Sequence, residues 1–232
     1  MREATHLHGT VFERRINAVL ETLSGGALPE WPDVAAASIV LGLEAGDQLP
    51  SWSQPMFWWV LSGTIRNYVV VDGRESTLSY TSAVDMLVTA LPEELYVMFD
   101  FPIVPHLGLT RNLELAEELP PLRGQAYEDT VIVGCPAVLL VDKAKRNQRW
   151  MSLLMAGVLL HLGAHIHREV QLLTLSPEEQ YKAFVARNPQ LARKLSQREI
   201  ARHLNLTPVG LNRIVARVRA RSTPDEPEPI DD

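Results

Sequence analysis

Residues 195–221 read LSQREIARHLNLTPVGLNRIVARVRAR, a stretch that holds two short helices in close succession. Ser196 and Glu199 have the spacing of a capping box, in which the serine hydroxyl accepts from a backbone N–H three residues on and the glutamate accepts in return. Ile200, Ala201 and Leu204 then give the first helix an apolar face. Asn205-Leu206 leaves room only for a tight helix–helix angle. Thr207 caps the second helix, Pro208 takes its first position, and Leu211, Ile214, Val215 and Val218 recur as its buried stripe. Val209, Gly210, Asn212, Arg213, Ala216 and Arg217 are left facing outward. That set suits a helix reading the major groove: small residues allow close approach, Asn can pair bidentately with adenine and Arg with guanine. Gln197 and Arg198 start the first helix where phosphates would lie, and Arg219 and Arg221 add charge at the far end. A short helical pair with surface arginines also occurs in proteins that bind no DNA, so the charge around the motif decides its weight.

The full chain of 232 residues carries a formal net charge of −6, which conceals a strong asymmetry. Between 182 and 221 stand ten Lys or Arg against one acid, Glu199, a net of +9; the remainder has 12 against 27, a net of −15. A basic module is attached to an acidic one. With 46% hydrophobic and 22% charged residues the chain has ordinary globular composition. Its one cysteine, Cys135, excludes an internal disulfide framework and a four-cysteine zinc site, and among Val133, Val138 and Leu139 it reads as buried packing. The start, MREATHLHGTVFERR, lacks the apolar core of a secretory signal, and the apolar stretch 151–162 is too short for a bilayer. The expectation is a soluble cytoplasmic protein with no membrane partner.

Upstream, TVFERRINAVLETLS (10–24) has helical spacing, stopped by Gly25-Gly26, Pro29 and Pro32. From 36 to 141 the pattern turns to short strands: ASIVLGL, MFWWVLSG, TIRNYVVV, ESTLSYT, LYVMFDF, TVIV and AVLLV. Their spacing predicts an antiparallel roll or jelly roll, with Asp72-Gly73 as a type I′ hairpin turn. Alternation sends one of Trp58 and Trp59 to the core and the other to a surface or pocket. Helical periodicity returns after Asp142, and 148–173 forms one long helix with Met151, Met155, Val158, Leu162, Ile166 and Val170 as a narrow stripe. Such a stripe resembles a coiled-coil seam, so two copies of the chain should pair there. Ser176-Pro177-Glu178-Glu179 starts a further helix, which ends near Asn188-Pro189.

The fold class is therefore α+β: an N-terminal antiparallel β-roll or jelly roll, a long dimerisation helix and a C-terminal helix-turn-helix. The expected division is 1–147, 148–175 and 176–221, followed by an acidic tail from 222 to 232 that contains TPDEPEPIDD and is disordered by composition. His161 and His165, four apart on one helical face, could hold a metal or haem or sense a proton; the stronger reading is hydrogen-bonded structural histidines, since no acidic third ligand accompanies them.

The order VLSGTIRNYVVVDGRESTLSY, a long helix, then HREVQLLTLSPEEQYKAFVARNPQLARKLSQREIARHLNLTPVGLNRIVAR resembles the Crp/Fnr superfamily of bacterial regulators over residues 36–221. The likeness is most specific at Leu61-Ser62-Gly63 with the 72–75 hairpin, and from Arg187 to Arg213. It implies an effector-type roll, a dimer helix, a reading helix over 207–219, and duplex DNA, a second copy of the chain and RNA polymerase as partners. Gln197, Thr207 and Arg213 match positions that contact DNA in that family. Pro208-Val209 replaces an Arg-Glu pair common there, which implies a different target sequence, and after Arg221 no β-wing is expected. Cyclic-nucleotide binding in the family needs Gly-Glu-Leu followed by Arg-Xaa-Ala, which supply backbone N–H groups and an arginine to the cyclic phosphate. The corresponding stretch 83–115, AVDMLVTALPEELYVMFDFPIVPHLGLTRNLEL, has no such cassette. No cofactor is expected.

Enzyme chemistry finds little support. Jelly-roll oxygenases need histidines on strands, and the strand region offers His106 alone. No phosphate loop, nucleophile elbow or dinucleotide fingerprint is present. A sensing regulator using His161 and His165, and an adaptor whose basic helix binds an acidic partner, stand as alternatives.

Overall fold

The computed structural model describes residues 4–50, 54–82, 86–88, 120 and 122–222. The run expected as a strand over 95–101, His106, most of the stretch 83–115 and the tail from 223 onward lie outside the described residues. The chain forms two compact units, 1–162 and 163–232, and the division falls within one long helix.

In the first unit, α1 (Val11–Ser24) is capped by Thr10, whose hydroxyl accepts from the Glu13 N–H at 3.3 Å, and ends at Gly25 in the left-handed region. A second helix, α2 (Trp31–Ala37), was not foreseen: Pro32 opens it rather than breaking the chain, because its missing N–H falls in the first turn. The strand expected from 37 therefore begins later. The strands are β1 (Thr5–His6), β2 (Ile39–Leu43), β3 (Met56–Ser62), β4 (Thr64–Val71), β5 (Arg74–Ser82), β6 (Met86–Val88), β7 (Arg123–Ala126) and β8 (Thr130–Pro136). All pairings are antiparallel, in the orders β1-β2-β8-β3-β6 and β5-β4-β7. Asp72 and Gly73 have φ of 49° and 72°, as a type I′ hairpin requires, and close the register Val71↔Arg74. At the other end of β4, Gly63 has φ 85° and runs so close to β8 that an added Cβ would sit 2.6 Å from the Asp129 carbonyl oxygen.

Both tryptophans are buried in core clusters, which corrects the expectation that one would be a surface or pocket residue. Alternation holds, but the five-stranded sheet is covered on both faces. Trp58 joins Leu41, Val60, Ile65 and Ile132 on one side, whereas Trp59 joins Leu20, Val133 and Trp150 on the other. The Trp58 ring also packs against Gly134, where any Cβ would clash. Cys135 is fully buried and its thiol is pushed up to about 12 by burial, which fits packing rather than reactivity.

The run AVLLV is not a strand: it begins α3 (Ala137–Arg146). Ala137, Leu140, Val141 and Ala144 are buried while Val138 is exposed, a spacing of helical period that five apolar residues could not reveal by themselves. Lys143 on α3 pairs with Glu30 and Asp33. Next comes α4 (Gln148–Thr174), whose first turns bury Trp150, Leu153 and Leu154. By length and composition alone this 27-residue helix, with a mean hydropathy of 1.3 over its most apolar window, is long enough to cross a bilayer; the expectation from sequence concerned only the shorter apolar stretch 151–162 within it. Only 17% of that window is buried in the single chain.

The second unit contains the end of α4, then α5 (Pro177–Arg187), α6 (Pro189–Lys194), α7 (Gln197–His203) and α8 (Pro208–Ser222). Phe184, Leu195, Ile200, Ala201, Leu204, Leu211, Ile214 and Val215 form its small core.

Candidate nucleic-acid interface

Local chemistry sets the two helices of the motif. Glu199 N–H donates to the Ser196 hydroxyl at 3.3 Å, and Ser196 N–H donates to the Glu199 carboxylate at 2.9 Å, so the capping box is complete. The same device, from Ser176 and Glu179, starts α5. α7 ends in a tight turn with Asn205 at φ 55°, a conformation that asparagine tolerates better than most residues. Thr207 then caps α8 by accepting from the Gly210 N–H at 3.0 Å. Its hydroxyl proton stays available to a phosphate.

With both ends fixed, the faces of α8 are determined. Leu211, Ile214 and Val215 are buried against the α7 side, where Ile200, Ala201 and Leu204 are also buried. Val209, Asn212, Arg213, Ala216 and Arg217 are exposed, Gly210 and Val218 half-buried. Gln197, Arg198 and Thr207 are exposed as well, so every residue named from sequence as a DNA contact lies open on this unit. Arg221 is tied at 2.7 Å to Glu178, which also takes Lys182 at 2.9 Å. These cations, with Arg217 nearby, hold the Glu178 carboxyl below its usual range. Glu178 thus draws charge away from the far end of α8, a feature with no signal in the motif itself.

The pairing stripe divides. Met151 is half-buried and packs against the chain's own core, whereas Met155, Val158, Leu162, Ile166 and Val170 are each about half exposed. Leu159 and Leu173, also exposed, widen the same side. His161 and His165 are exposed on α4, and no cluster of three or more metal-ligating side chains exists among the described residues. Sequence reasoning missed a contact inside this unit: Arg168 of α4 reaches His203 at the end of α7.

No family profile matches the sequence, and no curated protein is significantly similar to it. Solved structures do match. FixK2 from Bradyrhizobium japonicum is 17% identical, with a TM-score of 0.59 over 79% of this chain and 85% of that one. A transcriptional regulator of the Crp/Fnr family from Eubacterium rectale is 16% identical, with a TM-score of 0.57 over 83% and 87%. The c-di-GMP responsive global regulator CLP from Xanthomonas campestris is 12% identical, with a TM-score of 0.52 over 80% and 88%. The antiparallel sheets, the long helix and the helix-turn-helix therefore make up the Crp/Fnr fold.

Proposed function

We propose that this chain is a sequence-specific DNA-binding regulator of transcription that acts as a homodimer and catalyses no reaction. The carrying observation is α8: one face is locked into the core by Leu211, Ile214 and Val215, and the opposite face presents Asn212, Arg213 and Arg217 in a segment of net charge +9. Asn212 and Arg213 choose bases; Gln197, Arg198, Thr207 and Arg217 hold phosphates. The half-exposed apolar side of α4 pairs with its copy, in preference to lipid, because Arg168, Glu169 and three histidines interrupt its C-terminal half. Pairing would place two reading helices roughly 34 Å apart, so the operator is an approximate palindrome. RNA polymerase is a further partner on this reading.

The domains on this reading are the roll with its N-terminal helices to 147, the pairing helix to 175 and the DNA-binding helices to 221. Signals attached to the fold differ among neighbours: CLP responds to c-di-GMP, and CprK has been solved in complex with OCPA. For this chain, lack of the phosphate cassette in 83–115 predicts no useful affinity for cyclic AMP or cyclic GMP. Micromolar binding of either by isothermal titration would overturn that.

A mobility shift at two salt concentrations, comparing duplex with the same sequence as single strand, tests the function. Duplex-selective binding that weakens steeply with salt is expected. Equal affinity for single strand and duplex, or none for either, would remove the reading and favour an acidic protein partner.

A further inference from the structure

The turn inside the helix-turn-helix is incomplete without a residue from α4. At the end of α7 the Leu206 N–H donates to the Ala201 carbonyl at 2.8 Å and the Asn205 N–H to the Arg202 carbonyl at 3.2 Å. With Asn205 in the left-handed region this is a Schellman turn, which satisfies two of the last carbonyls of the helix and leaves those of His203 and Leu204 to other donors. Arg168 meets the first of these: its Nη2 donates to the His203 carbonyl oxygen at 2.9 Å, and its Nη1 lies 3.2 Å from His203 Nδ1. The His203 ring in turn lies 5.2 Å from Phe184 of α5, tilted by 54°. Three elements, α4, α5 and α7, therefore converge on one residue within the same compact unit.

The chemistry favours a fixed arrangement. A guanidinium is a planar fork, so two contacts to one residue set its orientation as well as its distance, which a lysine ammonium could not do. Its positive charge stands at a helix C-terminus, where the helix dipole is negative. Burial and the neighbouring guanidinium keep the imidazole neutral, and in its Nε2–H tautomer Nδ1 accepts from Arg168.

We propose that Arg168 is a positioning residue: it pins the turn between the two helices of the motif to the last third of α4, so that the pairing helix dictates where the reading helix stands. This rests on the DNA-binding reading above. The consequence is a narrow tolerance for the spacing between half-sites.

The test compares the full-length wild type, Arg168→Ala and Arg168→Lys on duplexes whose two half-sites are moved apart in single base-pair steps, with a single half-site as control. Wild type should show one sharp optimum. Arg168→Ala should bind the single half-site within about twofold of wild type yet discriminate between spacings about tenfold less, the effect of one lost charge-assisted hydrogen bond. Arg168→Lys, with charge but no fork, should fall between. Titration of His203 by NMR reports the contact separately: near pH 4 in wild type and higher in Arg168→Ala.

Wild-type spacing preference in Arg168→Ala would overturn the proposal, as would an equal loss on half-site and palindrome, which marks general destabilisation. Wild type that binds half-sites without any spacing preference would overturn the positioning role and leave DNA binding standing. Wild type that binds no duplex would remove both, whether or not the His203 titration confirms the contact.

Discussion

Replacing Leu162 by aspartate should separate the two chains without unfolding either. Leu162 is 51% exposed on α4, beside Val158 and Ile166, and contributes nothing to the buried core of the single chain. Covering its open half buries roughly 90 Å² of apolar surface, about 2 kcal/mol per protomer at 25 cal/mol per Å². In the proposed symmetric pair that loss is doubled, and the substitution also places two like charges in the seam. A total of about 4–6 kcal/mol would raise the dimer dissociation constant by roughly a thousandfold to ten-thousandfold. Within the helix itself, exchanging leucine for aspartate costs only about 0.5 kcal/mol, so far-UV circular dichroism should hold. Leu160→Asp serves as control. Leu160 is 64% exposed but lies about 160° round the helix from Leu162, away from the seam. Sedimentation velocity over a dilution series reads the outcome. A Leu162→Asp protein that stays dimeric at wild-type concentrations, or a Leu160→Asp protein that dissociates equally, would refute the assignment of this face.

The remaining predictions concern the second unit. Arg213→Ala should cost about 1–3 kcal/mol on the cognate operator and relax base choice at one position per half-site, whereas Arg198→Ala should weaken all duplexes alike; equal losses from both on cognate and random DNA would show that Arg213 reads no base. Leu211 is fully buried between α7 and α8, and Leu211→Ala should destabilise this unit by about 2–5 kcal/mol in denaturant melts. His203 is held neutral, its pKa lowered from 6.5 to about 4 first by burial and then by Arg168. The unfolded chain therefore takes up the proton first as pH falls. The His203 contribution should be fully present above pH 6.5 and fall by about 3 kcal/mol by pH 4. His203→Gln, which keeps an acceptor and cannot charge, should flatten that slope; an unchanged slope would assign it to other groups.

What could be read in the sequence was whatever is decided locally. Capping boxes at Ser176 and Ser196, the cap at Thr207 and the Asp72-Gly73 turn each depend on residues within a few positions of one another, and each appears as read. The faces of α8 followed from periodicity over its length. Short apolar runs carried less information: AVLLV fits a strand or a buried helix, and only the packing of Leu140 and Val141 into the core decides. Alternation separates Trp58 from Trp59, but whether one face of a sheet or both are covered is a tertiary matter that it does not carry. Pro32 reads as a stop signal in sequence, yet it opens a helix. The Arg168–His203 contact joins residues with no local signature, and the tie from Arg221 to Glu178 equally depends on how α5 and α8 come together.

The central claim is tested most directly by selecting duplexes from a random pool on the purified full-length protein and sequencing what is retained. An enriched approximate palindrome, with half-sites centred about one helical turn apart, is the predicted result. A retained pool with no sequence or symmetry in common, at salt concentrations where the protein still binds, would contradict it.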